Sequence, residues 1–592
     1  MMHVDPDDLL GKAYDARIVR RLLAFVRPYR RRAIAAVLLI ALATGCELLI
    51  PKLFSVGVDE VTDHKRKWVL NLLGAAFAVT LIVRFLASWG QFYLTAWLGN
   101  RIVFDLRNTM FRHLQTLSIG YIDRRGVGRI MTRIQNDVSV IQEFFGDGAV
   151  GIVSNVLVLI GIVVFMLVTN WQMALLTLIV LPIMVAITAR WRVRAVETYR
   201  QTRRTMSIVN GNLAESVAGV RVSQAYVREP ENIRHFDQLN RANYDASVHA
   251  ARLSSLLFPT VNLIGATASA LVLYFGGRLA FNNHLSLGQL VLFIALIDRF
   301  FDPIRDLSQQ YNMLQAAMAA GERIFEVLDV EPEVRDKPDA IALPPITGRV
   351  DYDGVTFGYG EVEVLHGVDL HVAPGQTIAL VGETGAGKST IVNLLMRFAD
   401  VWDGAVRIDG HDVRDVTQAS LRSQFGIVLQ DTFLFGGTVR ENIRFGRPEA
   451  TNAEVEEAAR VVGAHDFIVD LADGYDTPVQ ERGASLSVGQ RQLLSFARAL
   501  LAQPRILILD EATSSIDTQT ERQIQAALRK LLKDRTSFVI AHRLSTIREA
   551  DQVVVMRDGL IAEMGTHDEL IARGGYYAGL YTMQWQGGMA AD

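Results

Sequence analysis

The chain has 592 residues, of which 50% are hydrophobic and 21% charged, and its formal net charge is −3. It is too long for one ordinary domain. Its charge fraction lies below the roughly 25% of soluble proteins, and its balance excludes the basic domain expected of a nucleic-acid binder. The single cysteine, Cys46, excludes an intramolecular disulfide and a cysteine metal cluster.

Residues 1–16 are mostly polar and acidic, with no apolar core before a small-residue cleavage site, so no cleavable signal peptide is visible. Arg20-Arg21 faintly resembles a twin-arginine signal. The favoured reading is a basic helix on the membrane surface, with Leu22, Leu23, Phe25 and Val26 among Arg17, Arg20, Arg21, Arg27 and Arg30.

A bilayer crossing takes about 20 apolar helical residues. Six stretches qualify as candidates: about 33–54, 69–98, 146–169, 172–192, 253–280 and 287–311, the second and the last two interrupted by polar residues. Only the turn at Thr169-Asn170-Trp171 separates the third from the fourth, which predicts an antiparallel hairpin. The long connections carry the positive charge. Arg101, Arg107, Arg112, Arg124, Arg125, Arg129 and Arg133 follow the second span, and Arg192, Arg194, Arg200, Arg203, Arg204, Arg221, Arg228, Arg234 and Arg241 follow the fourth. The excess of positive charge puts these loops and both termini in the cytoplasm. Apolar positions at helical spacing predict that the loops extend the spanning helices, with one bend near Arg125–Gly128 and another between Asn210 and Glu229. They read as coupling elements rather than ordinary cytosolic loops.

Glu47, Arg84 and Asp298 fall inside the apolar stretches, and Asp302 and Arg305 lie nearer the cytoplasmic end. Charges at bilayer depth face a cavity or one another. The three are therefore candidates for substrate recognition or a charge-paired gate, with Arg84 neutralised by Glu47 or Asp298. The plainer readings are a structural ion pair or a misplaced span end.

Helical pattern continues to Val330. Glu331-Pro332 through Lys337-Pro338 and Leu343-Pro344-Pro345 then mark a linker, and β-rich segments follow from Gly348. The apolar run Thr377–Val381 leads into Gly382-Glu383-Thr384-Gly385-Ala386-Gly387-Lys388-Ser389-Thr390. Strand, glycine-rich turn and helix start are the context of a phosphate-binding loop. Its glycines let N–H groups approach phosphates, and the helix end is positive. Lys388 is placed for the β- and γ-phosphates, Ser389 for Mg²⁺ and Thr390 for the α-phosphate. A second buried strand, Ile506–Leu509, ends in Asp510, a Mg²⁺ ligand through water. Glu511 follows as the carboxylate that polarises the attacking water.

With these elements in place, the chain resembles an exporter-type ABC transporter half-unit over nearly its whole length. Leu486-Ser487-Val488-Gly489-Gln490 is similar to the family's LSGGQ signature, with Val488 replacing the first glycine. The resemblance implies an all-α transmembrane domain of six helices followed by an α/β P-loop ATPase domain, and ATP and Mg²⁺ as cofactors. It implies that Tyr359 stacks on adenine and that Gln430 senses Mg²⁺ and the attacking water. His542 would contact the γ-phosphate, Ser514-Ser515-Ile516-Asp517 would form the D-loop, and Glu481-Arg482-Gly483 would meet the membrane domain. It further implies that Ser487, Gly489 and Gln490 act on the nucleotide of another ATPase domain. A second half-transporter is therefore needed; a homodimer is favoured, with a heterodimer as the alternative.

The resulting domains are an N-terminal cytosolic segment with an elbow helix (1–32), a transmembrane domain (33–327), a linker (328–346), an ATPase domain (347–585) and a tail (586–592). The expected function is ATP-driven export of an amphipathic drug, lipid or peptide across the cell membrane, a bacterial inner membrane. The alternatives are import by the same architecture and a soluble-type ABC ATPase, against which the six apolar stretches count.

Overall fold

The computed structural model describes residues 15–282, 285–480, 483–510, 518–541 and 543–583. Two compact units emerge. The first holds residues up to Gln115 together with Gly126–Val330, and the second holds Thr116–Arg125 with Glu331 onward.

The first unit is helical. Its helices are α1 (Ala16–Val26), α2 (Arg30–Asp59) and α3 (Lys67–Leu114), then, beyond α4 (Ile119–Arg125), α5 (Val127–Thr132), α6 (Val138–Glu143), α7 (Ala149–Thr169), α8 (Trp171–Leu178), α9 (Val180–Ala218), α10 (Val220–Ala225), α11 (Glu229–Phe281) and α12 (Leu287–Leu328). Two π turns, Arg133–Asp137 and Phe144–Gly148, sit in the helical run that α5, α6 and α7 make. Among the described residues, five helical runs are long and apolar enough to cross a membrane. The sixth expected span lies in α12. That helix carries Asp298, Arg299, Asp302, Arg305 and Asp306 within nine residues, about two and a half turns, and composition alone does not qualify it.

Local chemistry explains the breaks. Asn170 caps α8 through its side chain, accepting from Met173 N at 3.0 Å, and so closes the hairpin between α7 and α8. Gly126, at φ 77°, separates α4 from α5. Asp59 at the end of α2 accepts from Ser286 Oγ at 2.8 Å and from Gly288 N at 2.7 Å. A carboxylate there also complements the positive end of α12. Gly288 is required at this junction, because a Cβ would stand 2.1 Å from Ser55 O.

Two apolar clusters hold this unit. One joins Leu22 of α1 to Leu106 and Met110 of α3, Ile141 of α6 and Ile324 of α12. The other joins α7, α8, α11 and α12 around Met166, Met173, Val272 and Phe293. Ion pairs clamp the last turns of α12. Arg323 lies 2.6 Å from Asp137, Arg133 lies 3.0 Å from Glu326, and Arg21 of α1 lies 2.6 Å from Asp329.

The second unit is α/β. Its strands are β1 (Val350–Tyr359), β2 (Val362–Val372), β3 (Thr377–Val381), β4 (Asp403–Ile408), β5 (His411–Asp412), β6 (Phe425–Val428), β7 (Gly437–Thr438), β8 (Pro478–Val479), β9 (Ile506–Asp510), β10 (Thr536–Ile540), β11 (Gln552–Arg557) and β12 (Leu560–Gly565). An antiparallel sheet runs β2-β1-β4-β5, and a six-stranded sheet runs β12-β11-β3-β10-β9-β6. In the latter β11, β3, β10, β9 and β6 are parallel, and β12 is antiparallel to β11.

The parallel strands read as continuous apolar runs because both faces are covered. Ala379 and Val381 of β3, Leu507 and Leu509 of β9 and Val539 of β10 face one core, with the helices around Leu494 and Ile524. Ile378, Leu380, Ile506, Ile508, Phe538 and Ile540 face the other, against the antiparallel sheet. The alternation is the period of two of an extended chain.

The segment after α12 is not free. Leu343 and Ile346 are buried in the second core, Leu343 N donates to Ser420 Oγ at 2.8 Å, and Lys337 pairs with Asp415 at 2.6 Å. The short helix α4 also groups with this unit, its Arg124 lying 2.7 Å from Glu333.

Candidate functional site

Sheet order gathers the expected nucleotide residues along one edge. Ile540 of β10 is paired with both Leu380 of β3 and Asp510 of β9, and Val428 of β6 is paired with Leu509. The ends of these four parallel strands are therefore level. Gly382, Asp510, Ala541 and the turn holding Gln430 all lie at the carboxyl edge, where open α/β sheets bind ligands.

The loop after β3 is built for close approach to an anion. Gly382, Gly385 and Gly387 hold φ of 153°, 88° and 100°. A Cβ on Gly382 would meet Met556 O at 2.3 Å, and one on Gly387 would meet Leu365 Cδ2 at 2.7 Å. Glu383 and Thr384 are exposed on the loop, and Ala386 is buried beneath it. Gly387 caps the helix Lys388–Leu395 with no side-chain partner for its first N–H groups, so those donors are available to an anion.

Lys388 is buried, and its Nζ donates to Gly382 O at 2.7 Å and Glu383 O at 2.8 Å. Burial holds its ammonium below the ordinary lysine range, while the Asp510 charge pulls the other way. Ser389 is exposed beside it and Thr390 is buried. Tyr576 donates from its hydroxyl to Glu383 Oε1 at 3.0 Å and props the loop from outside, a contact that sequence reasoning missed.

Gln430 is exposed two residues past β6. Tyr359 ends β1, half-exposed, with its ring edge-on to Phe357 at 5.1 Å. Glu511, Asp517 and His542 lie outside the described residues, as do Glu481 and Arg482.

Ser487 caps the helix Val488–Leu501. Its hydroxyl accepts from Gln490 N at 3.2 Å, and its own N–H donates to Gln490 Oε1 at 2.9 Å. The Gln490 side chain is thus committed to a capping box. The S-x-x-Q spacing before an apolar run is the signal that would have found it. Gly489 is buried, and a Cβ there would stand 2.2 Å from Thr520 Cγ2, so part of its role is helix packing. Val488 is exposed at the helix start.

In the membrane unit, Glu47 of α2 lies 3.7 Å from Arg84 of α3 and 3.2 Å from Arg299 of α12. Arg299 Nη1 also donates to the Glu47 carbonyl at 3.2 Å. Asp298 is exposed and makes no ion pair among the described residues. Of the two expected partners of Arg84 the structure brings Glu47 to it, and Arg299, rather than Asp298, joins them. Adjacent helical residues point about 100° apart, so only one of Asp298 and Arg299 can face α2. Arg299 was legible as a charge in an apolar stretch. One carboxylate between two guanidiniums sets the expected result: Glu47→Ala leaves both arginines unpaired and lowers the melting temperature in detergent more than Arg84→Ala does. Breaking a buried pair costs about 3–5 kcal/mol, and partial exposure reduces it here. Equal melting of Glu47→Ala and the parent would remove the cluster from the fold's support.

A cleft of about 300 Å³ lies between α3 and the stretch of α6 and the second π turn, lined by Phe92, Asn100, Gln142, Glu143 and Asp147 among others. Gln142 Nε2 donates to Asn100 Oδ1 at 3.1 Å there.

Comparison with known proteins agrees with this architecture. Residues 33–304 match the ABC transporter transmembrane region, and residues 365–514 match the ABC transporter family. The chain is 42% identical over 582 residues to an uncharacterised ABC transporter ATP-binding protein, YknV, of Bacillus subtilis (strain 168), covering 98% of this chain and 96% of that one. It is 36% identical over 571 residues to an ATP-dependent lipid A-core flippase of Syntrophus aciditrophicus (strain SB), covering 96% and 95%. Among solved structures, a bacterial Atm1-family ABC exporter with ATP bound superposes with a TM-score of 0.76 at 32% identity, covering 94% of this chain and 98% of that chain. With a helical membrane unit leading into a P-loop ATPase unit, the chain belongs to the ABC transporters, as a multi-pass membrane protein whose ATPase domain is cytoplasmic.

Proposed function

We propose that the chain is one half of a homodimeric exporter that moves an amphipathic drug, lipid or peptide outward at the expense of ATP. The observation that carries this is the anion cradle Gly382–Ser389 at the carboxyl edge of a parallel sheet, on the same polypeptide as membrane-spanning helices. Relatives named as a putative multidrug export ATP-binding/permease protein and as a lipid A-core flippase support the substrate class. So does the mixed aromatic and polar lining of the cleft at Phe92 and Gln142.

The residues divide the work. Backbone N–H groups of the cradle and the Lys388 ammonium hold the β- and γ-phosphates, and Tyr359 offers a half-exposed ring to adenine. Ser389, Gln430 and Asp510 form an all-oxygen donor set that fits Mg²⁺; when bound, Mg²⁺ neutralises charge on the phosphate oxygens. Glu511, next after Asp510, accepts a proton from the attacking water, with His542 at the γ-phosphate and Asp517 at the dimer contact. Ser487 and Gly489 present the helix Val488–Leu501, stiffened by Gln490, to the nucleotide of the other subunit.

A second subunit also accounts for the tip between α9 and α11. Val217, Val222, Tyr226 and Val227 are exposed there, an apolar group that a partner's ATPase domain would cover. Closing of the two ATPase domains then turns the membrane cavity outward, which requires ATP to bind the closed state better than the open one.

Mixing subunits tests this. Lys388→Ala and Ser487→Arg homodimers should each be inactive. A mixed dimer should regain one working site, from the intact loop of one subunit and the intact signature of the other. No recovery on mixing would end the shared-site reading, and inward transport in sealed vesicles would reverse the direction.

A further inference from the structure

A basic pocket lies in the membrane unit and shares no lining residue with the cleft at Phe92 and Gln142. It encloses about 580 Å³ between the start of α2 and α3, lined chiefly by Tyr29, Arg30, Arg31, Arg32, Trp97 and Arg101. Aromatic rings set its shape. Tyr29 and Trp97 meet edge to face at 5.5 Å, and the Arg32 guanidinium lies 3.7 Å over the Trp97 ring. Tyr29 donates to Asp105 at 2.6 Å and accepts from Arg101 Nε at 2.9 Å, which holds Arg101 beside the opening. Asp105, 3.6 Å from Arg101, offsets one positive charge. Arg30, Arg31 and Arg32 make no ion pair among the described residues, and all three are exposed.

The depth of the pocket identifies its occupant. The apolar stretch of α2 begins at residue 33 and that of α3 ends at about residue 98, both on the cytoplasmic side. Unpaired arginines at that level stand where lipid phosphates lie. An apolar track leads from them into the membrane. Trp89, Tyr93, Trp97 and Arg101 fall at intervals of four on α3, and Trp89 stacks on Tyr93 at 6.4 Å. Ile34 and Leu38 continue the row of Arg30 on α2, and Trp89, Tyr93, Ile34 and Leu38 are exposed. We propose that this pocket binds an anionic phospholipid of the cytoplasmic leaflet. Its phosphate is held by Arg30, Arg31, Arg32 and Arg101, and its acyl chains lie along the Trp89–Tyr93 row.

Native mass spectrometry of the full-length protein in a neutral detergent, titrated with phosphatidylglycerol or phosphatidylcholine, tests it. The parent should retain phosphatidylglycerol in preference to phosphatidylcholine. Arg30→Gln with Arg32→Gln should weaken phosphatidylglycerol about 25-fold, at about fivefold per arginine near the surface. Arg30→Lys with Arg32→Lys should keep most of the affinity, and guards against a folding defect. Arg17→Gln with Arg20→Gln removes equal charge from α1, outside the pocket lining, and should change retention less than about threefold, short of one surface arginine's worth. Equal losses from the two glutamine pairs would mean diffuse surface charge and overturn the proposal. So would equal retention of the two lipids by the parent. Displacement of phosphatidylglycerol by inorganic phosphate at matching concentrations would also overturn it, because the site would then recognise a free anion and not a lipid.

Discussion

Lys388→Ala is expected to weaken ATP binding by roughly tenfold to a hundredfold, from the about 1.5–3 kcal/mol that a charged hydrogen bond contributes. The Lys388 Nζ rests on the carbonyls of Gly382 and Glu383, at 2.7 and 2.8 Å, so it is already positioned over the loop. Exchange of those carbonyls for phosphate oxygens needs a shift of the side-chain end alone. Because the ammonium is buried, with its charged form disfavoured, its removal should not lower the melting temperature of the ATPase unit substantially. A fluorescent ATP analogue titrated into the two proteins separates these effects. Unchanged affinity with unchanged melting would show that the loop does not hold the phosphates.

Glu511→Gln is expected to keep ATP binding and to lose turnover by about 10²–10⁴-fold, the range of general-base assistance. The expectation starts from Asp510, which closes β9 level with Ile540 of β10 and with the phosphate loop's strand. Asp510 stands at the carboxyl edge, and Glu511 is the next residue in the chain. Glutamine keeps the shape and removes the basic oxygen, so the variant should accumulate as an ATP-bound closed dimer, trapped by cross-linking across the Ser487 contact. Hydrolysis at the parental rate would take Glu511 out of the base role.

The engine was the most legible part of the sequence, and the reason is local. Thr377–Val381 is a short apolar run ending at a glycine, and the strand, the loop and the helix after it lie within one contiguous stretch. Gln430 follows β6, Asp510 ends β9 and Ala541 follows β10, and these strands end along one edge. The sequence reading missed contacts that depend on which elements pack together. Gly489 was read toward phosphate, yet its missing Cβ also lets Thr520 approach. Arg299 was passed over for Asp298, because a helix rotation of about 100° is not written in composition. The expected linker of 328–346 was marked by its prolines. Proline density, however, does not tell a free tether from an extended segment laid against a core, and Leu343 and Ile346 are core residues.

That segment decides where the ATPase domain can be cut. Arg397 has 1% of its side chain exposed, donates from Nη2 to Arg335 O at 2.9 Å and from Nε to Asp400 Oδ1 at 2.9 Å, and lies 3.5 Å from Asp336. A soluble fragment starting at residue 347 would lose Arg335 and Asp336, uncover the apolar patch beneath Leu343 and Ile346, and leave a guanidinium short of acceptors. A fragment starting before Glu331 keeps them. The piece that looks most like a spacer is a built-in part of the motor, so lengthening it with flexible residues after Ile346 would disturb the ATPase fold, whereas an insertion at Val330 would fall between the two units.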